Sequence, residues 1–226
     1  MLIEMEKGAN TFLGKLAEGV DLAPGLTFDE NRHVYKMGDR QLYSVTQVLA
    51  LGGVSSFLSS IGATEGAVLG TKVHKYLESV VRDDREEMAR WEKELGPEWV
   101  ECALAGLEQI HRVYGITILS PEVRLAYEPL RLAGTLDLIG TVDRQLIVMD
   151  FKTGHRYEHY ELQLGGYAAL LEYAHGVKAR AVKTACAYLS PGKPLFMEFH
   201  ATVPCMTTFL SVLKVVEWKL AKGITM

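Results

Sequence analysis

The stretch from Gly134 to Lys152, GTLDLIGTVDRQLIVMDFK, constrains this chain more than any other segment. Two apolar runs flank Asp143-Arg144, a two-residue turn candidate, so the segment reads as an antiparallel hairpin. That register sets Asp137 opposite Asp150 and Thr135 opposite Lys152. Directly opposed residues have Cβ atoms about 4.5–5.5 Å apart. Side chains alternate, so Asp150 and Lys152 share a face. Leu136, Leu138, Ile147, Met149 and Phe151 take one face, and Ile139, Leu146 and Val148 share the other with the charges. Two apolar faces mean central, covered strands. Facing carboxylates are unfavourable there unless something compensates them. A divalent cation does so, and hard oxygen ligands on a rigid scaffold suit Mg2+ or Mn2+. The plainer alternative is Asp150 paired with Lys152 on a solvated face, the usual fate of an isolated D-x-K triplet.

The surrounding pattern predicts a mixed α/β domain. Residues 1–25 suggest a short helix or leader. His33 to Tyr43 suggests a hairpin around Gly38-Asp39, and Ser44 an N-cap for a short helix through Leu51. Helices are expected over 62–82, 84–94, 97–114, 158–174 and 204–221, and strands over 116–127, 131–142, 145–153, 179–189 and 194–201. The chain has 226 residues, 48% hydrophobic and 23% charged, which suits one globular domain. No run approaches the ~18 apolar residues of a membrane span. The first twenty residues carry Glu4, Glu6 and Glu18 and lack a secretory pattern, so a cytoplasmic location without membrane contact is expected. Cys102, Cys186 and Cys205 fit neither a disulfide framework nor a CxxC-type zinc site, and three cysteines cannot hold a four-cysteine iron–sulfur cluster. Net charge is −4, with eight acids against three bases over 83–101 and seven Lys/Arg against two Glu over 176–226. The acidic run reads as a solvated helix, and the basic quarter could face a polyanion.

Other residues gather around the hairpin. Gln163 and Tyr167 lie four apart on one helix face, with Gly165 and Gly166 between them allowing close backbone approach. Taken alone, Gln163 reads equally well as a surface residue and Tyr167 as core. His74 lies after Gly70 on the 62–82 helix, where an isolated histidine is usually structural, and Glu122 follows Pro121 in the first strand of the sheet.

Gly134-x-x-Asp137, Asp150-x-Lys152 and Gln163-x-x-x-Tyr167, with His74 and Glu122 upstream, resemble the PD-(D/E)XK nuclease superfamily over about residues 70–170. The set is most similar to its RecB-like and phage recombination exonuclease branch, and His33 to Leu49, with Tyr35 and Ser44-Val45-Thr46, resembles the N-terminal part of those exonucleases. Leu136 precedes Asp137 where the superfamily name has proline. The iron–sulfur cysteines of some relatives are missing, and no GxxxxGK[ST] loop is present.

The resemblance implies a restriction-endonuclease-like core, a mixed central sheet of about five strands flanked by helices, with a helical N-terminal region. It implies one nuclease domain over 1–226, with a hairpin-and-helix region over 1–60 and the core over 61–226. By the same resemblance, Asp137, Asp150 and the Phe151 carbonyl bind Mg2+ or Mn2+, one or two ions, with no iron–sulfur cluster. His74 adds a ligand and Glu122 an outer one. Lys152 orients or deprotonates the attacking water, and Gln163 and Tyr167 hold the strand or position Lys152. The expected activity is DNA exonuclease action in phage-type recombination or repair. The expected partners are duplex DNA with a free end, a single-strand annealing protein and further copies in a ring. Arg40 and Ser44 are candidates for a terminal-phosphate anchor, and Lys72, Lys75, Arg124 and Arg131 for backbone phosphates. A structure-specific endonuclease and an inactive nucleic-acid-binding module of the same fold are the alternatives. A glycosidase using paired acids ranks last, because Lys152 and the Q-x-x-x-Y helix have no role in one.

Overall fold

Asp143 and Arg144 both adopt positive φ, 47° and 67°, the signature of a type I′ turn. This turn joins β5 (Leu132–Val142) to β6 (Gln145–Lys152). It fixes the expected register from Val142↔Gln145 to Leu138↔Met149. The computed structural model describes residues 7–30, 32–54 and 65–224.

Before the hairpin come helix α1 (Lys7–Ala17), strands β1 (Leu26–Asp29), β2 (Val34–Met37) and β3 (Arg40–Ser44), and helix α2 (Val45–Leu51). Helices α3 (Glu65–Val81), α4 (Arg85–Glu94) and α5 (Pro97–Arg112) and strand β4 (Thr117–Tyr127) follow. After the hairpin come α6 (Tyr160–His175), β7 (Val182–Tyr188), β8 (Phe196–His200) and α7 (Thr202–Ala221). The five expected strands are β4 to β8. The three-stranded meander β1–β3 extends them to one mixed sheet of eight, so the N-terminal region is not simply helical with a hairpin. Residues 1–6, and the expected helical turn at 62–64, lie outside the described residues.

The central strand has two edges with different fates. Along one, β4 pairs with β5 from Thr117↔Thr141 to Tyr127↔Leu132. Along the other, β6 pairs only as far as Leu138↔Met149. Beyond that point β6 stays with β7, in parallel register as far as Lys152↔Tyr188. Further down the same edge β3 joins in parallel, through Tyr43↔Leu132 and Ser44↔Ala133. Among the described residues, Gly134–Asp137 therefore pair with no strand on that edge. The expected ladder pairs Asp137↔Asp150 and Thr135↔Lys152 do not form. The two strands part to follow different neighbours.

The sheet separates two apolar layers. Helices α1, α2, α6 and α7 cover Ile139, Leu146 and Val148, while α3, α4 and α5 cover Leu138, Ile147, Met149 and Phe151. Leu138, Ile139, Leu146, Ile147, Val148 and Met149 are all fully buried, each worth about 1.5–3 kcal/mol of transfer free energy. Leu136 differs from expectation, packing with Ile139 rather than with Leu138. Its partner Val123 packs in the same layer and directly follows Glu122, whose φ of 50° breaks the extended backbone of β4.

Candidate metal and catalytic site

Where β5 and β6 part, side chains replace the missing ladder. The Phe151 amide donates to Asp137 Oδ2 at 2.8 Å, and the Phe151 carbonyl oxygen lies 3.0 Å from His74 Nε2. The other ring nitrogen of His74 is 3.4 Å from Asp137 Oδ2. Both nitrogens thus face acceptor oxygens, which suits the doubly protonated ring. Burial opposes that charge, but Asp137, Asp150 and Glu122 outweigh it and lift the His74 pKa to about 9. Burial also works against charge on Asp137, yet His74, Lys152 and the Phe151 amide hold its carboxyl below the ordinary carboxylate value. Glu122 lies opposite Asp137, bracketed by Pro121↔Leu138 and Val123↔Leu136. Burial, with the charges of Asp137 and Glu78, raises its pKa to about 7. Its left-handed backbone is costly for a residue with a Cβ.

Asp150 comes from the other side of the fork and is 2% exposed. Its Oδ1 accepts from Gln163 Nε2 at 2.8 Å. Its Oδ2 forms an ion pair with Lys152 but receives no directed hydrogen bond. Burial and the neighbouring Asp137 raise the Asp150 pKa to about 6, with Lys152 opposing. Lys152 donates to Gln163 Oε1 at 3.0 Å and sits 4.0 Å from the centre of the Tyr160 ring. Burial disfavours its charge, but Asp150 and Asp137 prevail and raise its pKa. Gln163 Nε2 also donates to the Tyr167 hydroxyl at 2.8 Å. Gln163 and Tyr167 are both buried, so Gln163 is not a surface residue.

Glycines bring these elements together. A Cβ on Gly165 would lie 2.4 Å from the Cys205 carbonyl oxygen of α7, and one on Gly166 2.5 Å from Val45 of α2. A Cβ on Gly134 would lie 3.0 Å from the Tyr167 ring. Helix α6 can therefore press close enough to aim Gln163 at the fork. Helix α3 brings His74 from the opposite layer.

The result is a cavity of about 330 Å3, with Asp137, Asp150, Lys152 and His74 among its lining. One ligand atom each from His74, Glu122 and Asp137 lies within 4.8 Å of the others. This triad, the Asp150 carboxylate and the Phe151 carbonyl suit a hard divalent cation. Asp150 stands outside the triad and is paired with Lys152.

The expected phosphate contacts are placed differently from one another. Ser44 lines the cavity, but it is the buried N-cap of α2, accepting from the Gln47 amide at 3.0 Å in a capping box. Arg40 pairs with Glu128 at 3.3 Å, so the two do not form a joint anchor. Lys72 pairs with Glu94 at 3.2 Å, and Arg131 lies over the Tyr43 ring. Arg124 lies over the Phe28 ring and 3.6 Å from Glu30. Sequence reasoning missed Phe28 of β1 and Glu30 just after it as parts of the cavity wall, and named Tyr35 of β2 only within the family resemblance. The one local signal was Thr135, a polar residue inside an apolar run, whose hydroxyl lies 2.8 Å from that of Tyr35. The three cysteines are free thiols.

The family model of the PD-(D/E)XK nuclease superfamily matches residues 53–204, and the chain belongs to that superfamily. Its mixed sheet flanked by helices is the restriction-endonuclease-like architecture expected. No curated protein matches the sequence. Among solved structures, the crystal structure of SSO0001 is similar over 76% of this chain and 84% of that one, at 14% identity and a TM-score of 0.28. A likeness so distant carries no argument. No helix among the described residues is long and apolar enough to cross a membrane.

Proposed function

We propose that the chain is a Mg2+- or Mn2+-dependent DNA exonuclease that hydrolyses phosphodiester bonds at the fork between β5 and β6. The observation that carries this reading is the gathering of Asp137, Asp150, Lys152, His74 and Glu122 around one cavity. Asp137, Glu122, Asp150 and the Phe151 carbonyl would hold an ion, and His74 would add a ligand once one ring nitrogen gives up its proton. When bound, such an ion polarises a phosphate oxygen and lowers the pKa of a bound water. Lys152, kept protonated by its carboxylates, donates a hydrogen bond to the water or to a phosphate oxygen and stabilises charge there. Gln163 clamps Lys152 and Asp150 in one geometry, and Tyr167 clamps Gln163. Their burial favours this positioning role over direct contact with the strand.

The recessed carboxylates favour a strand that enters by its end. A role in recombination or repair, a single-strand annealing partner, a ring of copies and a cytoplasmic setting are parts of the same proposal, supported by the resemblance of the motifs to the phage exonuclease branch. The test is cleavage of end-labelled linear duplex beside a closed circle, with Mg2+ or Mn2+. Degradation of the linear DNA alone upholds the reading. Cutting of the circle makes the protein an endonuclease. No cleavage with either ion makes it a binding module of this fold.

A further inference from the structure

The cavity poses an electrostatic problem for a nuclease. Its described lining includes four carboxylates, on Glu30, Glu122, Asp137 and Asp150, against His74 and two lysines. Lys152 is engaged by Asp150 and His74 by Asp137. The other lysine is Lys75 on α3, and its ammonium lies 3.4 Å from Glu30 Oε1. Arg124 of β4 approaches the same oxygen at 3.6 Å. Two cations from separate elements thus converge on one acceptor beside the reacting groups. An incoming polyanion meets them already neutralised.

The geometry is that of an anion site with an internal occupant. Glu30 is 56% exposed at its side chain, and both contacts are long. Exposed pairs of this kind hold weakly. Lys75 keeps a second partner, Glu78 at 3.3 Å on its own helix, and Arg124 keeps the Phe28 ring at 5.3 Å. Both cations therefore stay in place when Glu30 leaves. A phosphate, terminal or diester, accepts charge-assisted hydrogen bonds and pairs well with lysine and arginine.

We propose that Lys75 and Arg124 form a phosphate subsite at the edge of this cavity, and that Glu30 fills it until a nucleic-acid phosphate displaces it. The proposal rests on the nuclease reading for the nature of the ligand. Glu30 acts as a competitor for the strand. Removing its charge strengthens binding through Lys75, whereas a general charge effect strengthens binding equally with and without Lys75.

The test is fluorescence anisotropy in EDTA, with a short labelled oligothymidylate carrying either a 5′-phosphate or a 5′-hydroxyl. Glu30→Gln is expected to bind at least roughly threefold tighter than wild type. Its log K against log[salt] is expected to steepen by about 0.7, the slope for one more neutralised phosphate on a single strand. Lys75→Met weakens binding, and Glu30→Gln on that background strengthens it less than in wild type. Tighter binding of both probes assigns the subsite to a backbone diester, and tighter binding of the 5′-phosphate probe alone assigns it to a strand end. Unchanged or weaker binding by Glu30→Gln and Glu30→Ser, with unchanged thermal midpoints, overturns the proposal. Cleavage is scored separately with Mg2+. Loss of the nuclease reading would leave these binding differences intact.

Discussion

Two adjacent halves of one strand behave oppositely. Leu138–Thr141 is paired on both edges, and its Leu138 and Ile139 are fully buried. Gly134–Asp137 keeps only β4, and beside it Asp137, Asp150, Glu122, Lys152 and His74 line one cavity. The difference is one of backbone supply and demand. In the paired half strands stand on both edges to satisfy the backbone, so apolar side chains fit on both faces. In the open half Asp137 takes over the Phe151 amide, and His74 faces the Phe151 carbonyl. Charge is tolerated where the ladder stops, and the parting strands admit groups from both helical layers.

The contrast breaks most visibly at Asp150. Asp150→Ala is expected to lower metal-dependent cleavage by about a thousandfold or more, with circular dichroism unchanged. Cleavage near the wild-type rate would detach the chemistry from the fork. In the paired half, Leu138→Ala is expected to cost about 2–5 kcal/mol of stability by denaturant unfolding. A cost near zero would show that this half is not the rigid support the open half needs.

The paired half was legible in the sequence, and the open half only partly. Asp143-Arg144 and the flanking alternation gave turn and register from local chemistry. Ser44 announced its cap, and Gly165-Gly166 the close approach of α6. The end of the ladder at Leu138↔Met149 was not readable, because it depends on β6 choosing β7 and β3 returning to Leu132. Nothing local to Asp137 encodes those distant pairings. The same limit hid the Arg40 partner Glu128, the Glu30 contacts and the short strand β1. At the site, the residue types were readable while their division of labour was not. The triad of ligand atoms is His74, Glu122 and Asp137, and Asp150 is tied to Lys152 and Gln163.

Smaller effects sharpen the contrast. Gln163→Leu removes the clamp on Lys152 and Asp150, and is expected to slow cleavage about 10–100-fold while leaving KM nearly unchanged. A change in KM alone would assign Gln163 to strand binding instead. The open half is also expected to respond to pH. The His74 pKa lies at about 9 in the fold against its ordinary 6.5. Its contribution is full below about 6.5 and is lost as pH rises through 9. Glu122, raised from 4.5 to about 7, loses its contribution between those two values, in the same direction. The thermal midpoint of the metal-free protein is therefore expected to fall from pH 6.5 to 9, and saturating Mn2+ to flatten the decline. A midpoint that rises over this range contradicts the protonated His74. Tyr35→Phe, which removes the hydroxyl meeting Thr135, is expected to cost only about 0.5–1.5 kcal/mol by thermal unfolding.

Whether the open edge is a metal site is decided by Mn2+ binding, followed by electron paramagnetic resonance on wild type, Asp137→Asn and the surface control Glu86→Gln. Saturable binding is expected for wild type and Glu86→Gln, with at least a tenfold weakening in Asp137→Asn, roughly the loss of one charged ligand. Equal Mn2+ binding by all three proteins would contradict a metal site at the open edge.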